Sequence, residues 1–235
     1  MLKAKGHWIT SQFIMKAQLI GRCLHSLRLA SYCALALISG AAGLAAEQGW
    51  IDLFNGQDLT GWAQKNGSAK YAAQDGAIVG TSAPNSPNSF LCTTKDYGDF
   101  ELEFEVMVDK ELNSGVQIRS QSKLDYQNGR VHGYQVEIAV GGFSGGIYDE
   151  ARRGKFLNAE KPTEAIRGLL QEKQWNKYRV RCQGDRLQVW VNGTQVTDLR
   201  DDMTKSGFIG LQVHGVGDRT DPLQVKWRNL RLRQL

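Results

Sequence analysis

Residues 100–108 read Phe-Glu-Leu-Glu-Phe-Glu-Val-Met-Val, with an apolar residue at every second position. Successive side chains of a strand point to opposite faces, so this pattern predicts a half-buried strand. Residues 177–182 alternate in the same way, and the apolar positions of 187–191 lead into Asn192-Gly193, a strong hairpin signal. Short alternating runs separated by turn residues fill the chain from Gly49 onward. The pattern predicts an all-β sandwich of two packed antiparallel sheets with roughly ten or more strands.

The remaining segments predict one domain over residues 47–235. Only residues 162–173 resemble a helix, and that stretch is brief. Two segments read as loops: 82–89, which is polar and contains two prolines, and Gly141–Gly154, which begins Gly-Gly-Phe-Ser-Gly-Gly. No linker, repeat or change of composition divides residues 49–235.

The first 46 residues predict a secretory signal peptide. They contain five basic residues and no acidic ones, then an apolar run from Leu29 to Leu44 that ends in small residues. Met15 offers a more usual start for such a leader. The alternative is an uncleaved membrane anchor, but the apolar run is short for a span and is interrupted by polar residues. We therefore expect an exported protein, periplasmic or extracellular, that is free of the membrane once the leader is cleaved.

Charge and cysteine content exclude two further classes of protein. The whole chain has 29 basic and 24 acidic residues, but five of the basic residues lie in the leader, so the remainder is neutral. A neutral domain without a basic patch does not favour nucleic-acid binding. Cys92 and Cys182 lie in strand-like stretches and are expected either to form a disulfide or to stay as buried thiols. Neither has metal-site spacing, which argues against zinc.

Three alternating stretches carry unusual residues on their polar side. They are Val116-Gln117-Ile118-Arg119, Gln135-Val136-Glu137-Ile138 and Ile209-Gly210-Leu211-Gln212-Val213-His214. An ordinary solvent face collects Thr, Lys and Ser, whereas this polar side collects amides, one carboxylate, one guanidinium and one imidazole. Such groups suit a carbohydrate cleft, because amides both donate to and accept from hydroxyls. The alternative is a polar face whose groups satisfy one another, including an Arg119–Glu137 pair.

Several segments form an ordered set of motifs. In order along the chain they are Trp50-Ile51-Asp52-Leu53-Phe54-Asn55-Gly56-Gln57-Asp58-Leu59-Thr60-Gly61-Trp62, Gly98-Asp99-Phe100-Glu101-Leu102, Asn113-Ser114-Gly115-Val116, Gly133-Tyr134-Gln135-Val136-Glu137-Ile138, Gly210-Leu211-Gln212-Val213-His214-Gly215 and Trp227-Arg228-Asn229-Leu230-Arg231. Together they resemble one bacterial family, the 3-keto-disaccharide hydrolases. The ordered set is more specific than any one motif and covers essentially all of 49–235. The resemblance implies a concanavalin-like jelly-roll β-sandwich, related in shape to lectins and family 16 glucanases.

The resemblance also implies a type of chemistry. A ketone at C3 of a sugar acidifies the C2 proton, so that a base can remove it, the C1 substituent can leave, and water can add back. We expect Glu137 or His214 to be the base and Arg119 to stabilise the enolate. The residues expected to bind the sugar are Gln117, Gln135, Gln212, Tyr148, Asp149, Glu150, Arg152 and His132.

Some of these assignments have simpler alternatives. A histidine such as His132, outside the clean alternation, is more often a loop contact than a catalytic group. The charged loop 149–153 could be solvated salt bridges or a wall of the cleft. Tyr148, Trp62 and Trp190 could stack on sugars, although Trp62 is more often a core residue.

Three functional classes follow from these residues. The preferred one is a hydrolase of 3-keto-glycosides or 3-keto-disaccharides, and the second is a non-catalytic, lectin-like carbohydrate-binding module. The third, a family 16-like glucanase, is disfavoured because Glu137 is the only carboxylate on its alternating stretch.

The expected partners and cofactors follow from the same chemistry. The expected ligand is an oxidised glycoside or disaccharide. A separate sugar 3-dehydrogenase is expected to supply it, since the chain has no dinucleotide motif. No cofactor is expected; the alternative is a divalent metal held by Glu137, His214 and a loop acid, which no spacing motif supports.

Overall fold

The computed structural model describes residues 49–235, which form fourteen strands and one short helix. The leader predicted for residues 1–46, with its alternative start at Met15, lies outside the described residues. The strands are β1 (Trp50–Asp52), β2 (Trp62–Lys65), β3 (Lys70–Gln74), β4 (Ala77–Thr81), β5 (Ser89–Tyr97), β6 (Phe100–Val108), β7 (Ser114–Gln121), β8 (His132–Ile138), β9 (Ile147–Glu150), β10 (Asn176–Gln183), β11 (Arg186–Val191), β12 (Thr194–Arg200), β13 (Gly207–Val213) and β14 (Gln224–Gln234). The helix α1 spans Glu164–Arg167.

The strands form two antiparallel sheets. The large sheet has the order β12-β11-β10-β6-β14-β4-β3, and β1 also pairs with β14. The small sheet has the order β2-β5-β13-β7-β8-β9. Strands that are adjacent in the sheets are often far apart in sequence, as in β6 with β14 and β5 with β13, so both sheets depend on long-range pairing. The predicted all-β sandwich of two antiparallel sheets is confirmed.

The core lies between the two sheets and takes one parity of each strand. Phe100, Leu102 and Phe104 of β6 are buried with Val116 and Ile118 of β7. The other parity of β6 faces away from the core, where Glu101, Glu103 and Glu105 form ion pairs with arginines of β10 and β14. The alternation at 100–108 therefore separates an apolar inner face from a charge-paired outer face, as its period of two requires.

Three local expectations have definite outcomes. The helix is shorter than the 162–173 stretch: Thr163 caps its first turn by accepting from the Ile166 amide, and the helix ends at Gly168. Cys92 and Cys182 are free buried thiols, and burial raises the pKa of each to about 12. The segment expected to be a loop over Gly141–Gly154 contains β9. No helix within the described residues is long and apolar enough to cross a membrane.

Candidate active site

The polar side chains of the small sheet lie on the face that points away from the core. The register pairs Gln117 with Gln135 and sets Gly115 opposite both Glu137 and Gln212. Because side chains directly opposite in a sheet share a face, the three glutamines and Glu137 come together from three strands. All four are buried.

The edge strand β9 adds a second carboxylate to this face. Its register pairs Tyr148 with Gln135 and Glu150 with Gly133, so both side chains point the same way as Glu137. The assembled face thus carries two carboxylates: Glu137 of the alternating stretch, and Glu150, which was expected only as a sugar-binding residue. The sequence alternation could not reveal this, because Glu150 lies outside the alternating stretches and reaches the site through strand pairing.

These residues line a cavity of about 380 Å³, here called the central cavity. The lining contains most of the predicted site residues and four that were not predicted: Gln135, Glu137, Tyr148, Glu150, Gln212 and His214, together with Asn88, Asn113, Arg130 and Phe156. A volume of this size is within the range of small-molecule sites.

A directed chain of amides leads to Glu137. The Ser120 hydroxyl donates to Gln117 Oε1 at 2.6 Å, and Gln117 Nε2 donates to Gln135 Oε1 at 2.9 Å. Gln212 Nε2 donates to the same Gln135 oxygen at 2.8 Å. With its oxygen occupied by two donors, Gln135 turns its Nε2 to Glu137 Oε2 at 3.0 Å. Ser120 and Gln117 thus lie behind the cavity and orient the groups within it. The expectation that Gln117 binds the sugar is wrong, because its side chain is fully buried and does not line the cavity.

This series of hydrogen-bonded amides requires a glycine at position 115. A Cβ atom on Gly115 would lie 2.5 Å from Cδ of Gln135. Real Cβ contacts are never that short, so the glutamine can lie flat over β7 only because residue 115 is glycine. The Asn113-Ser114-Gly115-Val116 motif therefore positions Gln135.

Both carboxylic acids of the cavity are held in a poorly solvated environment. Burial raises the pKa of Glu137, although hydrogen bonds from Asn113 and Gln135 and the charge of His214 act to lower it. Burial also raises the pKa of Glu150, against the charges of Arg130 and His214. The polar partners of Glu150 lie farther from its carboxylate than those of Glu137: Asn88 Nδ2 is 3.5 Å away and Arg130 Nη2 is 3.9 Å away. Buried carboxyls with raised pKa values in a cleft are typical of catalytic sites.

His214 is exposed at the mouth of the cavity with one ring nitrogen fixed. Its Nδ1 lies 2.8 Å from the Gly215 carbonyl oxygen, which can only accept, so Nδ1 carries the hydrogen. Nε2 is then an acceptor in the neutral ring and a donor in the imidazolium. The histidine is therefore equipped to move a proton at Nε2.

Arg119 does not belong to the site, and the expectation that it stabilises an enolate there is wrong. A β-bulge interrupts the pairing of β7 with β8 after Ile118, and Arg119 adopts a positive φ of 48°. The bulge takes its side chain out of the alternation. The fully buried guanidinium donates to the carbonyls of Gly98 and Gly184 and to Asp99, each at 2.7 Å. The predicted Arg119–Glu137 pair does not form.

Three expected sugar contacts are also structural instead. Asp149 has the opposite parity to Glu150 and bonds to Arg152 and Arg153, and Arg153 continues to Asp201. Arg152 stacks on the Tyr134 ring. His132 packs against the Tyr126 ring at 3.9 Å with its Nδ1 on a backbone carbonyl. None of Asp149, Arg152 and His132 lines the central cavity. Within the charged loop 149–153, only Glu150 lines the cavity, whereas its neighbours Asp149, Arg152 and Arg153 form ion pairs that stabilise the strand.

Of the three aromatic residues expected to stack on sugars, two are structural and one lines the central cavity. Trp62 is buried in the core, with its indole nitrogen 2.8 Å from the Leu53 carbonyl oxygen. Trp190 lies under the Arg179 guanidinium on the large sheet. Tyr148 lines the central cavity, where burial and the charges of Glu150 and Glu137 raise its pKa.

Four lining residues were missed by the sequence reasoning. Asn113 opens a motif quoted above and Asn88 belongs to the polar 82–89 loop, so both had a weak signal. Arg130 and Phe156 had none, since each enters the site through a turn whose path the sequence does not specify. Within residues 49–235, no three His, Cys, Asp or Glu side chains are grouped closely enough to hold a metal ion.

Comparison with known families decides the identity of the domain. The sequence profile of a family described as the 3-keto-alpha-glucoside-1,2-lyase-like domain matches residues 49–233. The chain belongs to this family. The resemblance derived from the ordered motifs is thereby confirmed, and the matched region contains every lining residue of the central cavity.

Several solved β-sandwich structures share the fold of this 3-keto-glucoside lyase-like domain. One, named as a candidate glycosyl hydrolase from Parabacteroides distasonis, has a TM-score of 0.57 and 18% identity, over 80% of this chain and 94% of the other. A carbohydrate-binding module from Bacillus subtilis has a TM-score of 0.56 and 16% identity, over 74% and 96% of the two chains. A Bacillus subtilis protein with a galectin-like fold has a TM-score of 0.54 and 9% identity, over 75% and 90%. These likenesses show the concanavalin-like jelly-roll fold.

A search of proteins with curated descriptions gave no significant match to the sequence.

Proposed function

We propose that the protein cleaves 3-keto-glycosides in the central cavity by elimination and hydration. The observation that supports this most directly is the pair of buried carboxyls, Glu137 and Glu150, facing one cavity beside His214 in a member of this family. The family description names elimination across C1 and C2, which is the first half of the proposed reaction.

In the proposed reaction two bonds of the sugar break, C2–H and C1–O, and a different side chain transfers a proton at each. Glu137 removes the C2 proton, and the C–H electron pair passes into the ketone as an enolate. The enolate then forms a C1–C2 double bond as the C1–O bond breaks, and the imidazolium of His214 gives its Nε2 proton to the departing oxygen. In the hydration step His214 Nε2 takes a proton from water as the hydroxyl adds to C1, and Glu137 returns its proton to C2. The net change is hydrolysis, and both groups regain their starting forms.

Other polar groups of the cavity are proposed to bind the sugar. Gln212 Oε1 is buried without a hydrogen-bond partner, and an unpaired buried acceptor costs about 1–3 kcal/mol. A substrate hydroxyl would satisfy it. Asn88, Arg130 and Tyr148 supply further donors around Glu150. In this proposal Glu150 binds hydroxyls and stabilises the imidazolium of His214.

We also propose where the protein acts and which enzyme supplies its substrate. The basic and then apolar residues of 1–46 support export to the periplasm or beyond. The ketone must be made before elimination can occur, so we propose a separate sugar 3-dehydrogenase acting upstream.

The deciding experiment compares a 3-keto-disaccharide with its unoxidised parent, each with and without a chelator. We expect cleavage of the oxidised sugar alone, unaffected by the chelator. Glu137→Gln should lower turnover by about 10²–10⁴ while keeping affinity. The exposed Glu172→Gln is the matched control and should change neither. Loss of turnover on adding the chelator would contradict metal-free proton transfer and indicate the divalent-metal alternative.

Two other outcomes would replace the proposal. Cleavage of the unoxidised parent would indicate a glycosidase that uses Glu137 and Glu150 as a carboxylate pair. Binding of both sugars with cleavage of neither would indicate a carbohydrate-binding module, the alternative that the amide-rich lining favours.

A further inference from the structure

A second cavity adjoins the central one and differs from it in chemistry. It has a volume of about 390 Å³ and shares Asn113, Glu137 and Phe156 with the central cavity. Its remaining lining has an apolar part and a polar part: Ala139, Gly142, Phe143, Ala159 and Pro162, and Asn158, Glu160, Lys161 and Arg167. We call it the Phe143 lobe.

An aromatic cluster forms the boundary between the two cavities. The Phe156 ring packs against Phe143 at 5.1 Å and edge-on against Tyr148 at 5.3 Å, and a backbone bridge joins Tyr148 to Phe156. Phe156 is nevertheless 38% exposed. An aromatic ring that is held on one side and open on the other offers apolar surface to a ligand.

The two amides of the lobe are engaged within the protein, and its charged residues, Glu160, Lys161 and Arg167, are exposed or half-buried. Asn158 Nδ2 donates to Thr197 at 2.8 Å, and its Oδ1 accepts from the Ile147 amide at 2.8 Å. Asn113 donates to Glu137. A sugar ring lying against Phe143 and Phe156 would therefore find few free amide groups for its hydroxyls, and unpaired hydroxyls are costly to bury.

A third cavity on the other side provides the contrast. It has a volume of about 540 Å³, shares Asn88, Arg130 and Glu150 with the central cavity, and also contains Asn66 and Gln127. We call it the Asn66 lobe. Both ends of the Asn66 amide bond to the backbone, at Gly129 and Val131, and Phe90 adds apolar surface. Arg130 and Glu150 supply the groups that suit hydroxyls, so the lobe beside Glu150 is charged, whereas the lobe beside Glu137 has a wall of aromatic rings.

We propose that the Phe143 lobe is a leaving-group subsite for apolar aglycones. The inference rests on the proposed function, in which Glu137 removes the C2 proton. C1 is bonded to C2, so the C1 substituent begins beside Glu137, and the cavity that Glu137 shares is the Phe143 lobe. The substrate class is therefore a 3-keto-glycoside of an aryl or alicyclic alcohol, with the oxidised sugar in the central cavity.

The test uses two substrates whose leaving groups differ only in polarity. Cyclohexylmethyl 3-keto-α-glucoside and 3-keto-isomaltose both release a primary alcohol on a six-membered ring, so their intrinsic leaving ability is similar. We expect kcat/KM to be at least about tenfold higher for the cyclohexylmethyl compound, because its ring is buried as apolar surface. Phe156→Ala should remove most of that preference by lowering kcat/KM for the cyclohexylmethyl compound by a larger factor than for 3-keto-isomaltose, since Phe156 also lines the central cavity. The exposed Gln127→Ala, in the Asn66 lobe, is the control and should leave the preference unchanged.

Equal kcat/KM for the two substrates, or an equal loss on both with Phe156→Ala, would overturn the subsite. Calorimetry with the two unoxidised glycosides separates this result from failure of the proposed reaction. If neither keto-substrate is cleaved but the cyclohexylmethyl glucoside binds more tightly and Phe156→Ala abolishes that difference, the subsite holds and the reaction is wrong. If no binding preference exists either, both proposals are wrong.

Discussion

Gln135 donates to one carboxylate oxygen of Glu137, and the direction of that bond is fixed by two other amides. Asn113 donates to the second oxygen. Glu137 is thus buried, which favours its neutral form, but surrounded by donors that favour its charged form. This opposition suits a residue that must accept a proton and later release it.

Removing one of these donors should shift the pH dependence of the reaction. Asn113→Ala takes away a hydrogen bond that lowers the pKa of Glu137, so that pKa rises. If Glu137 acts as the base in its charged form, the acidic limb of the kcat/KM profile should move to higher pH. Asn88→Ala is the matched control, because Asn88 donates to Glu150 instead. An unchanged acidic limb in Asn113→Ala would indicate that another group is the base.

Replacing Glu150 should make the protein more stable and less active. Burial raises its folded-state pKa, so this carboxyl stabilises the fold below its unfolded-state pKa, and that contribution is lost as pH rises through the folded-state value. At pH 7 Glu150→Gln should therefore raise Tm, by about 2 °C or more, and lower kcat/KM by about tenfold. The gain in Tm should disappear in acid. The exposed Glu172→Gln should show neither effect, and a fall in Tm at pH 7 would contradict the assignment.

Arg119 should be needed for folding but not for turnover. Arg119→Lys cannot reach the Gly98, Gly184 and Asp99 acceptors together, because it lacks the guanidinium fork. We expect a loss of about 3 kcal/mol in the free energy of unfolding and a fall in Tm of roughly 6–12 °C. Below the transition, kcat should stay near wild type.

An exposed arginine provides the comparison for Arg119. Arg186 pairs with Asp198 at the surface, and Arg186→Lys should cost under about 1 kcal/mol. A large fall in kcat for folded Arg119→Lys would restore a catalytic role for Arg119.

Asp201 should control stability in acid. Burial opposes its ionisation, but hydrogen bonds from Arg153 and Tyr134 outweigh burial and lower its pKa to about 2. The carboxylate stabilises the fold above its unfolded-state pKa, and this contribution is lost as pH falls towards about 2. Asp201→Asn should thus lower Tm at pH 7 and match wild type near pH 2, measured by calorimetry across pH. The exposed Asp218→Asn should follow wild type throughout, and a constant difference for Asp201→Asn would refute the ionic origin.

The alternation of apolar and polar residues was sufficient to predict the β-sandwich and the row of three glutamines on the small sheet. Gln117, Gln135 and Gln212 share a face because the period of two holds in β7, β8 and β13, and strand pairing brings that face together. The interpretation failed at Arg119, where a bulge with positive φ breaks the period. Outside glycine this backbone conformation favours Asn, Asp and His, so nothing in the sequence marks an arginine that adopts it.

The position of Glu150 shows a second limit on what can be predicted from the sequence. Gly141–Gly154 reads as a loop because glycines dominate it, yet β9 pairs along β8 and presents Glu150. Only the register of that pairing separates Glu150 from Asp149, its neighbour with the opposite role. Register depends on contacts far apart in the chain, which a local pattern does not contain.

Gly115 gives the site an unusual point of control for protein engineering. Adding a single methyl group there would displace Gln135 and with it the donor to Glu137, although residue 115 itself has no side chain. Directed evolution of this scaffold towards new sugars should therefore keep position 115 fixed and vary the residues of the two lobes that do not line the central cavity.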